Sequence, residues 1–241
     1  MTEQQVKPFQ FKQFTIEQDQ CPMKVGTDGV LLGAWAEVAG AKKALDVGTG
    51  TGLIAIMLGQ RTEELHIAAV EIDEKACEQA KANMAKVPWS DRLEVLNQPI
   101  QEYARSSSET YDLVVSNPPF FTGGTFSVKE DRNSVRHTVK LPHGDLLIAV
   151  RKLLAPAGKF AVILPYIEGL RFIELATTYN LHLTKKMEVR PKVDKGVERL
   201  LLQFERSPKA VVEESLVIQK AARNDWTADY IRLTGDFYLK M

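Results

Sequence analysis

The chain has 241 residues, 44% of them hydrophobic and 26% charged, enough for one sizeable α/β domain and too apolar for a disordered one. Its only cysteines, Cys21 and Cys77, form no CxxC or Cys/His spacing, which argues against a disulfide framework or a structural zinc. With no signal-peptide pattern and no apolar run near the roughly 20 residues of a membrane helix, a soluble cytoplasmic protein without metal or membrane contact is expected.

The formal net charge of zero hides an uneven distribution. Residues 1–121 hold 11 Lys/Arg against 17 Asp/Glu, residues 122–160 hold 7 against 3, and residues 185–223 hold 10 against 6. Two basic stretches on an acidic chain suit a polyanionic partner, and equally suit two solvated surfaces. In chain order, Val30, Leu31 and Ala34 have the spacing of an amphipathic N-terminal helix. Lys43–Val47 is a short apolar run ending in a Gly-rich turn, after which a helix starts at Leu53. His66–Ile72 is a second apolar run, followed by a helical stretch Glu74–Lys86. Leu93–Leu96 and Tyr111–Val115 are a third and a fourth. Asp145–Leu154 has helical spacing and stops at Pro156 and Gly158, and Phe160–Leu164 is a fifth strand-like run. Near-continuous apolar strands alternating with helices indicate a parallel sheet covered on both faces. Beyond Tyr166 the pattern changes to a helix over Glu168–Tyr179 and two strands, Leu181–Arg190 and Arg199–Glu205, joined by a long charged loop. We expect one domain: residues 1–40 as an N-terminal extension, 41–166 as the core, and 167–241 as a helix with antiparallel strands.

Asp46-Val-Gly-Thr-Gly-Thr-Gly52 lies where the first strand turns into the first core helix. Glycines there permit positive φ and a close approach of ligand to main chain, in the crevice that is the usual ligand site of a doubly wound fold. Read from Gly48 the turn is GxGxG. Read from Gly50, with Gly52 and Ala55, it also satisfies the GxGxxA form of a dinucleotide site, so a nicotinamide enzyme stays open at this point. Glu71, ending the second strand, is placed to accept both hydroxyls of a ribose. Asp73, two residues on, is placed to cap the next helix.

Ser116-Asn117-Pro118-Pro119-Phe120 follows the fourth strand directly. A plain turn accounts for the prolines. A binding role uses every residue: the Asn117 side-chain oxygen and the Pro118 carbonyl accept from a planar amino group, the prolines hold these acceptors rigid, and Phe120 offers a face for a flat base. Here the sequence resembles the amino-methyltransferases, whose hallmark is Asn/Asp-Pro-Pro followed by an aromatic. The resemblance implies S-adenosyl-L-methionine as cofactor, no metal and no essential general base, because two acceptors on the amine favour its nucleophilic geometry and stabilise the charge that grows on it. A stacked base would have to be flipped out, or come from an unpaired loop, to reach such a pocket.

Phe11-Lys-Gln-Phe14 and Met23-Lys-Val-Gly-Thr-Asp-Gly-Val-Leu-Leu-Gly-Ala-Trp35, together with DVGTGTG, AVEID, SNPPF, Arg132-Asn-Ser-Val-Arg136 and the closing LTGDFYL, are similar to the bacterial tRNA1(Val) adenine-37 N6-methyltransferases. That family implies a Rossmann-like class I α/β fold, with a mostly parallel seven-stranded sheet and a C-terminal antiparallel hairpin. It implies tRNA as substrate, with no obligate protein partner, and an N-terminal segment closing over the cofactor through Thr27 and Asp28, which would also cap the first helix. The cofactor contacts it implies are completed by Asp46, Gly48, Gly50, Gly52, Leu53, Glu71, Ile72, Gln98, Ile100 and Asn117. Gln98 is included because Pro99 stands where relatives carry an Asp that contacts the adenine. Arg132, Arg136 and His137 are expected as phosphate contacts. The readings kept beside this one are a glutamine methyltransferase of a protein such as a release factor, a ribosomal RNA guanine N2-methyltransferase, and a non-enzymatic adenosine- or RNA-binding regulator.

Overall fold

The computed structural model describes residues 6–119, 141–222 and 224–241. Two short strands, β1 (Phe9–Gln10) and β2 (Thr15–Ile16), make an N-terminal hairpin, and helix α1 (Thr27–Trp35) follows. The core then alternates: β3 (Lys43–Val47), α2 (Leu53–Gln60), β4 (His66–Glu71), α3 (Glu74–Met84), β5 (Leu93–Asn97), α4 (Ile100–Ser106), β6 (Tyr111–Ser116), α5 (His143–Leu153), β7 (Leu154–Pro165) and α6 (Tyr166–Thr178). Strands β8 (His182–Lys192), β9 (Arg199–Glu205) and β10 (Val212–Gln219) and helix α7 (Ala228–Thr234) complete the described elements.

One sheet takes β3 to β10 in the order β10-β8-β9-β7-β6-β3-β4-β5. Strands β7, β6, β3, β4 and β5 are mutually parallel, and β9 runs antiparallel to both β7 and β8. Alternate residues face opposite sides of a strand. Leu113 and Val115 of β6, with Ala161 and Ile163 of β7, therefore enter the core beneath α1, α2 and α3, while Val114, Phe160, Val162 and Leu164 enter the core beneath α4, α5 and α6. Both faces are covered, which is why these strands read as unbroken apolar runs.

The fold class is the expected one, and the details differ in three places. The sheet has eight strands rather than seven, because β10 adds at the edge parallel to β8. Pro156 and Gly158 do not end a helix; they lie inside β7, where the register jumps from Tyr111–Leu154 to Leu113–Lys159. A Cβ on Gly158 would come 2.7 Å from the Tyr111 carbonyl oxygen, so only glycine fits that close approach. Helix α1 is not amphipathic: every residue from Gly29 to Trp35 is buried, as it packs on α2 and α7. No helix among the described residues is long and apolar enough to cross a membrane.

Candidate active site

From β3 the chain steps to β4 and β5 on one side, then returns to place β6 on the other side of β3. This makes β3/β6 the topological switch point, where a crevice opens beyond the carboxyl ends of the strands. Val47 pairs with Ser116 across it, so the Gly-rich turn after β3 and the Asn-Pro-Pro turn after β6 emerge side by side. The Ser116 hydroxyl donates to the Val47 carbonyl (2.9 Å) and ties the two strand ends together.

The glycine turn has the left-handed geometry its sequence anticipates: φ is +72° at Gly48, +56° at Gly50 and +83° at Gly52. Nothing lies within 4 Å of where a Gly48 Cβ would project, so a ligand has room to meet the main chain there. The Gly48 and Thr49 N–H groups donate to the Val70 carbonyl, and the Gly50 N–H donates to Glu71 Oε2 (2.9 Å). Glu71 Oε1 accepts from the Ile72 and Asp73 N–H groups at 2.8 and 3.0 Å. A carboxylate offers about four lone-pair sites; Oε1 already accepts two hydrogen bonds and Oε2 one, so the acceptor site left for a ligand hydroxyl is on Oε2. Asp73 takes the Ala76 N–H (2.8 Å) and caps α3, as its spacing suggests. Asn97, at the end of β5, donates to the Glu71 and Ile72 carbonyls and fixes the crevice wall.

Asp46 is completely buried below the turn and accepts the Thr49 hydroxyl at 2.6 Å. Burial raises its carboxyl to about 7, and the negative Glu71 adds to the rise; the Thr49 hydroxyl and the Ala55 N–H pull the other way. Leu53 and Ile100 send their side chains into the core, at 5% exposure each, so what they offer a ligand is main chain at a helix start. Ile72 is 44% exposed at the strand end, an apolar surface left open at the crevice. Gln98 is half-buried and Pro99 is the residue preceding α4.

After Ser116, Pro118 is buried and Pro119 exposed. The Asn117 side-chain oxygen is buried and has no hydrogen-bond partner among the described residues. Such an acceptor costs about 1–3 kcal/mol if left empty, so a donor beyond the described residues would stabilise it. Phe120, Arg132, Arg136 and His137 lie outside the described residues.

Thr27 and Asp28 do not cap α1. The cap position is Gly26, whose extended backbone provides no side-chain acceptor, and Asp28 instead pairs with Arg199 at the start of β9 (2.8 Å). Sequence reasoning missed Gln79 and Asn83 of α3, which are buried. Asn83 exchanges hydrogen bonds with the backbone of Glu17 and donates to the Thr51 carbonyl inside the glycine turn (2.9 Å). Gln79 accepts the N–H groups of Gln20 and Cys21. Their only sequence signal is two amides four residues apart on a helix that otherwise turns alanine and cysteine inward.

The model of the methyltransferase small domain family matches residues 26–161, more than half of the chain. A predicted O-methyltransferase of Agrobacterium tumefaciens superposes with a TM-score of 0.69 over 87% of this chain and 96% of that one, at 16% identity, a likeness of fold. Fold, family model and crevice define the class: an S-adenosylmethionine-dependent methyltransferase with the class I fold. Two relatives make it more particular, both called tRNA1(Val) (adenine(37)-N6)-methyltransferase. That of Trichodesmium erythraeum is 46% identical over 96% of this chain and 98% of its own length. That of Parabacteroides distasonis is 42% identical over 97% and 98%. The chain belongs to the tRNA1(Val) (adenine(37)-N6)-methyltransferase family.

Proposed function

We propose that this chain methylates N6 of adenine 37 in tRNA1(Val), with S-adenosylmethionine as donor. The observation that carries the reading is the buried Asn117 oxygen, without a hydrogen-bond partner among the described residues, one residue beyond the Val47–Ser116 pair and beside the glycine turn. The crevice suits the cofactor: it has a glycine turn with open space above the main chain, a carboxylate beside it, and an exposed isoleucine. When bound, the cofactor supplies a methyl group already activated by its sulfonium, so no nucleophilic side chain is required.

In this reading Glu71 Oε2 accepts a ribose hydroxyl, Ile72 lies against the adenine, and Gln98 with the Ile100 N–H meets the adenine edge. The main chain of Gly48, Gly50, Gly52 and Leu53 lines the other side, above Asp46, and residues 1–40, with Thr27 and Asp28, close over the methionine end. Asn117 and the Pro118 carbonyl accept the two hydrogens of the target amine, which turns its lone pair away from the ring and toward the methyl. As positive charge grows on the nitrogen, these preorganised acceptors stabilise it. Pro119 stiffens the turn and Phe120 stacks the extruded base. Arg132, Arg136 and His137 hold phosphates.

The test is methyl incorporation from radiolabelled cofactor into unmodified valine tRNA, the same tRNA with guanine at nucleotide 37, and a release factor. Labelling of the first alone is expected. Equal labelling of both tRNAs overturns the site, and labelling of the release factor alone overturns the substrate class.

A further inference from the structure

The basic stretch over residues 185–223 meets the residues just described at Arg199, which pairs with Asp28, and the sheet carries more of it to the same edge. Arg199, starting β9, pairs with Pro165 at the carboxyl end of β7. Strand β8 runs antiparallel to β9, so its last residues emerge at that edge too, and Lys192 there pairs with Gln219, the last residue of β10. An open cleft of about 600 Å³ lies at this point, bounded by Lys192, Gln219 and Trp226 on one side and by Phe9, Tyr238 and Lys240 on the other.

Three features of the cleft point to a nucleic-acid strand. Its floor is a linked aromatic series: Trp226 to Tyr230 at 5.4 Å, Tyr230 to Tyr238 at 6.4 Å, and Tyr238 to Phe9 at 6.2 Å between ring centroids. Trp226, Tyr238 and Phe9 are each half-buried, leaving ring surface open. Its charged side chains among the described residues have one sign, since no Asp or Glu side chain lines it. Lysines farther back along β8 are neutralised, Lys185 by Glu214 and Lys186 by Glu213. Lys192 donates only to the Ala221 carbonyl, and Lys240 has no carboxylate partner among the described residues. Stackable rings beside unneutralised ammonium groups are the recognition chemistry of single-stranded nucleic acid.

The distance fits as well. Strand β8 is three places from β6 in the sheet and β10 is four, which at roughly 4.8 Å per strand sets the cleft about 14–19 Å from Asn117. A stacked strand covers that span in about four to six nucleotides at ~3.4 Å each.

We infer that this aromatic cleft is a second RNA site, in which a base stacks on Trp226 or Tyr238 while Lys192 and Lys240 hold the flanking phosphates, a few nucleotides from the base in the crevice. The inference rests on the proposed function for the presence of RNA, and on the cleft alone for where the RNA lies.

The test compares wild type with the Lys192→Ala/Lys240→Ala double variant and with Trp226→Leu. Each is measured for binding to the anticodon-arm hairpin of valine tRNA across a salt series, for steady-state methylation, and for S-adenosylhomocysteine affinity. The double variant should lower the slope of log K against log salt by about 1.4–1.8 units, raise KM, and leave kcat and cofactor affinity unchanged. Trp226→Leu should weaken hairpin binding about 5- to 150-fold, the equivalent of ~1–3 kcal/mol for a lost stack. If Trp226→Leu loosens α7, the half-buried Lys192 and the exposed Lys240 still decide the matter. Methylation of adenine 37 with both variants binding within twofold of wild type overturns the cleft and leaves the functional reading standing. Cleft-dependent binding without methylation overturns the functional reading and leaves the cleft standing. A wild type that binds no RNA overturns both.

Discussion

Replacing Asn117 by alanine gives opposite results for a catalytic acceptor and for a structural one. The Asn117 oxygen is buried with no partner among the described residues, a state that costs about 1–3 kcal/mol in the ligand-free chain. Removing it relieves that cost, while the lost side-chain packing restores a similar amount at ~0.8 kcal/mol per methylene equivalent. The net stability change should stay within about 1 kcal/mol, a melting-temperature shift of roughly 2–4 °C for a chain of this size. The rate should behave differently, because a preorganised acceptor for developing charge typically accounts for about 10²–10³ in turnover. Single-turnover methylation, thermal melting and calorimetric titration with S-adenosylhomocysteine, on the same preparation, give the three numbers. The expected set is a rate loss of about 100-fold or more, a nearly unchanged melt, and most of the cofactor affinity retained. Turnover within about tenfold of wild type would refute the acceptor role, and a melt lowered by more than ~8 °C would make Asn117 a fold residue.

Glu71→Ala should weaken S-adenosylhomocysteine binding by roughly 1.5–3 kcal/mol, through the lost charged acceptor and the freed Gly50 N–H; unchanged affinity by titration would move the ribose elsewhere. Asp46, held protonated up to about 7 by burial, binds a proton that the unfolded chain releases near 3.8. Its stabilising contribution is thus full below pH ~4, falls as pH rises toward ~7, and is flat above. Asp46→Asn should therefore gain stability relative to wild type between pH 5 and pH 8, and parallel melting profiles for the two would overturn this. Asn83→Ala strands the Glu17 N–H and the Glu17 and Thr51 carbonyls, which should destabilise by on the order of 2–4 kcal/mol; an unchanged melt would show that the network is replaceable.

The parallel core was legible because its strands are buried on both faces: Leu113, Val114 and Val115 read as one apolar run since consecutive residues enter different cores. The two turns of the crevice were legible because their geometry restricts residue type, glycine for positive φ at Gly48, Gly50 and Gly52 and proline for a rigid turn after β6. Strand β10 was not. It is an edge strand whose two glutamates are spent on lysines of its neighbour, Glu213 on Lys186 and Glu214 on Lys185, and those acids interrupt its apolar residues, leaving only the short run Leu216–Ile218. The β7 irregularity was misread because Pro and Gly signal a break without saying whether a helix stops or a strand bulges. Asp28 was misread for a similar reason: an acid at a helix start suggests a cap, and its partner, Arg199, is 171 residues away in sequence.

The amides of α3 were the least legible and change how the N-terminal segment is understood. Polar side chains at 79 and 83, one helical turn apart, ordinarily mark a solvated face. Here residues 17–21 lie over that face. Gln79 takes the N–H groups of Gln20 and Cys21 and donates to Asp19, and Asn83 serves both backbone groups of Glu17. A covering segment of five residues leaves backbone groups that neither sheet nor helix satisfies, so something on α3 must be an amide, able to donate and accept at once. Because Asn83 also donates to Thr51, the segment cannot shift without breaking that bond or carrying the glycine turn with it. Residues 17–21 are therefore part of the wall that shapes the glycine turn. A sequence lacking these two amides could keep DVGTGTG intact and still lose the geometry of the turn.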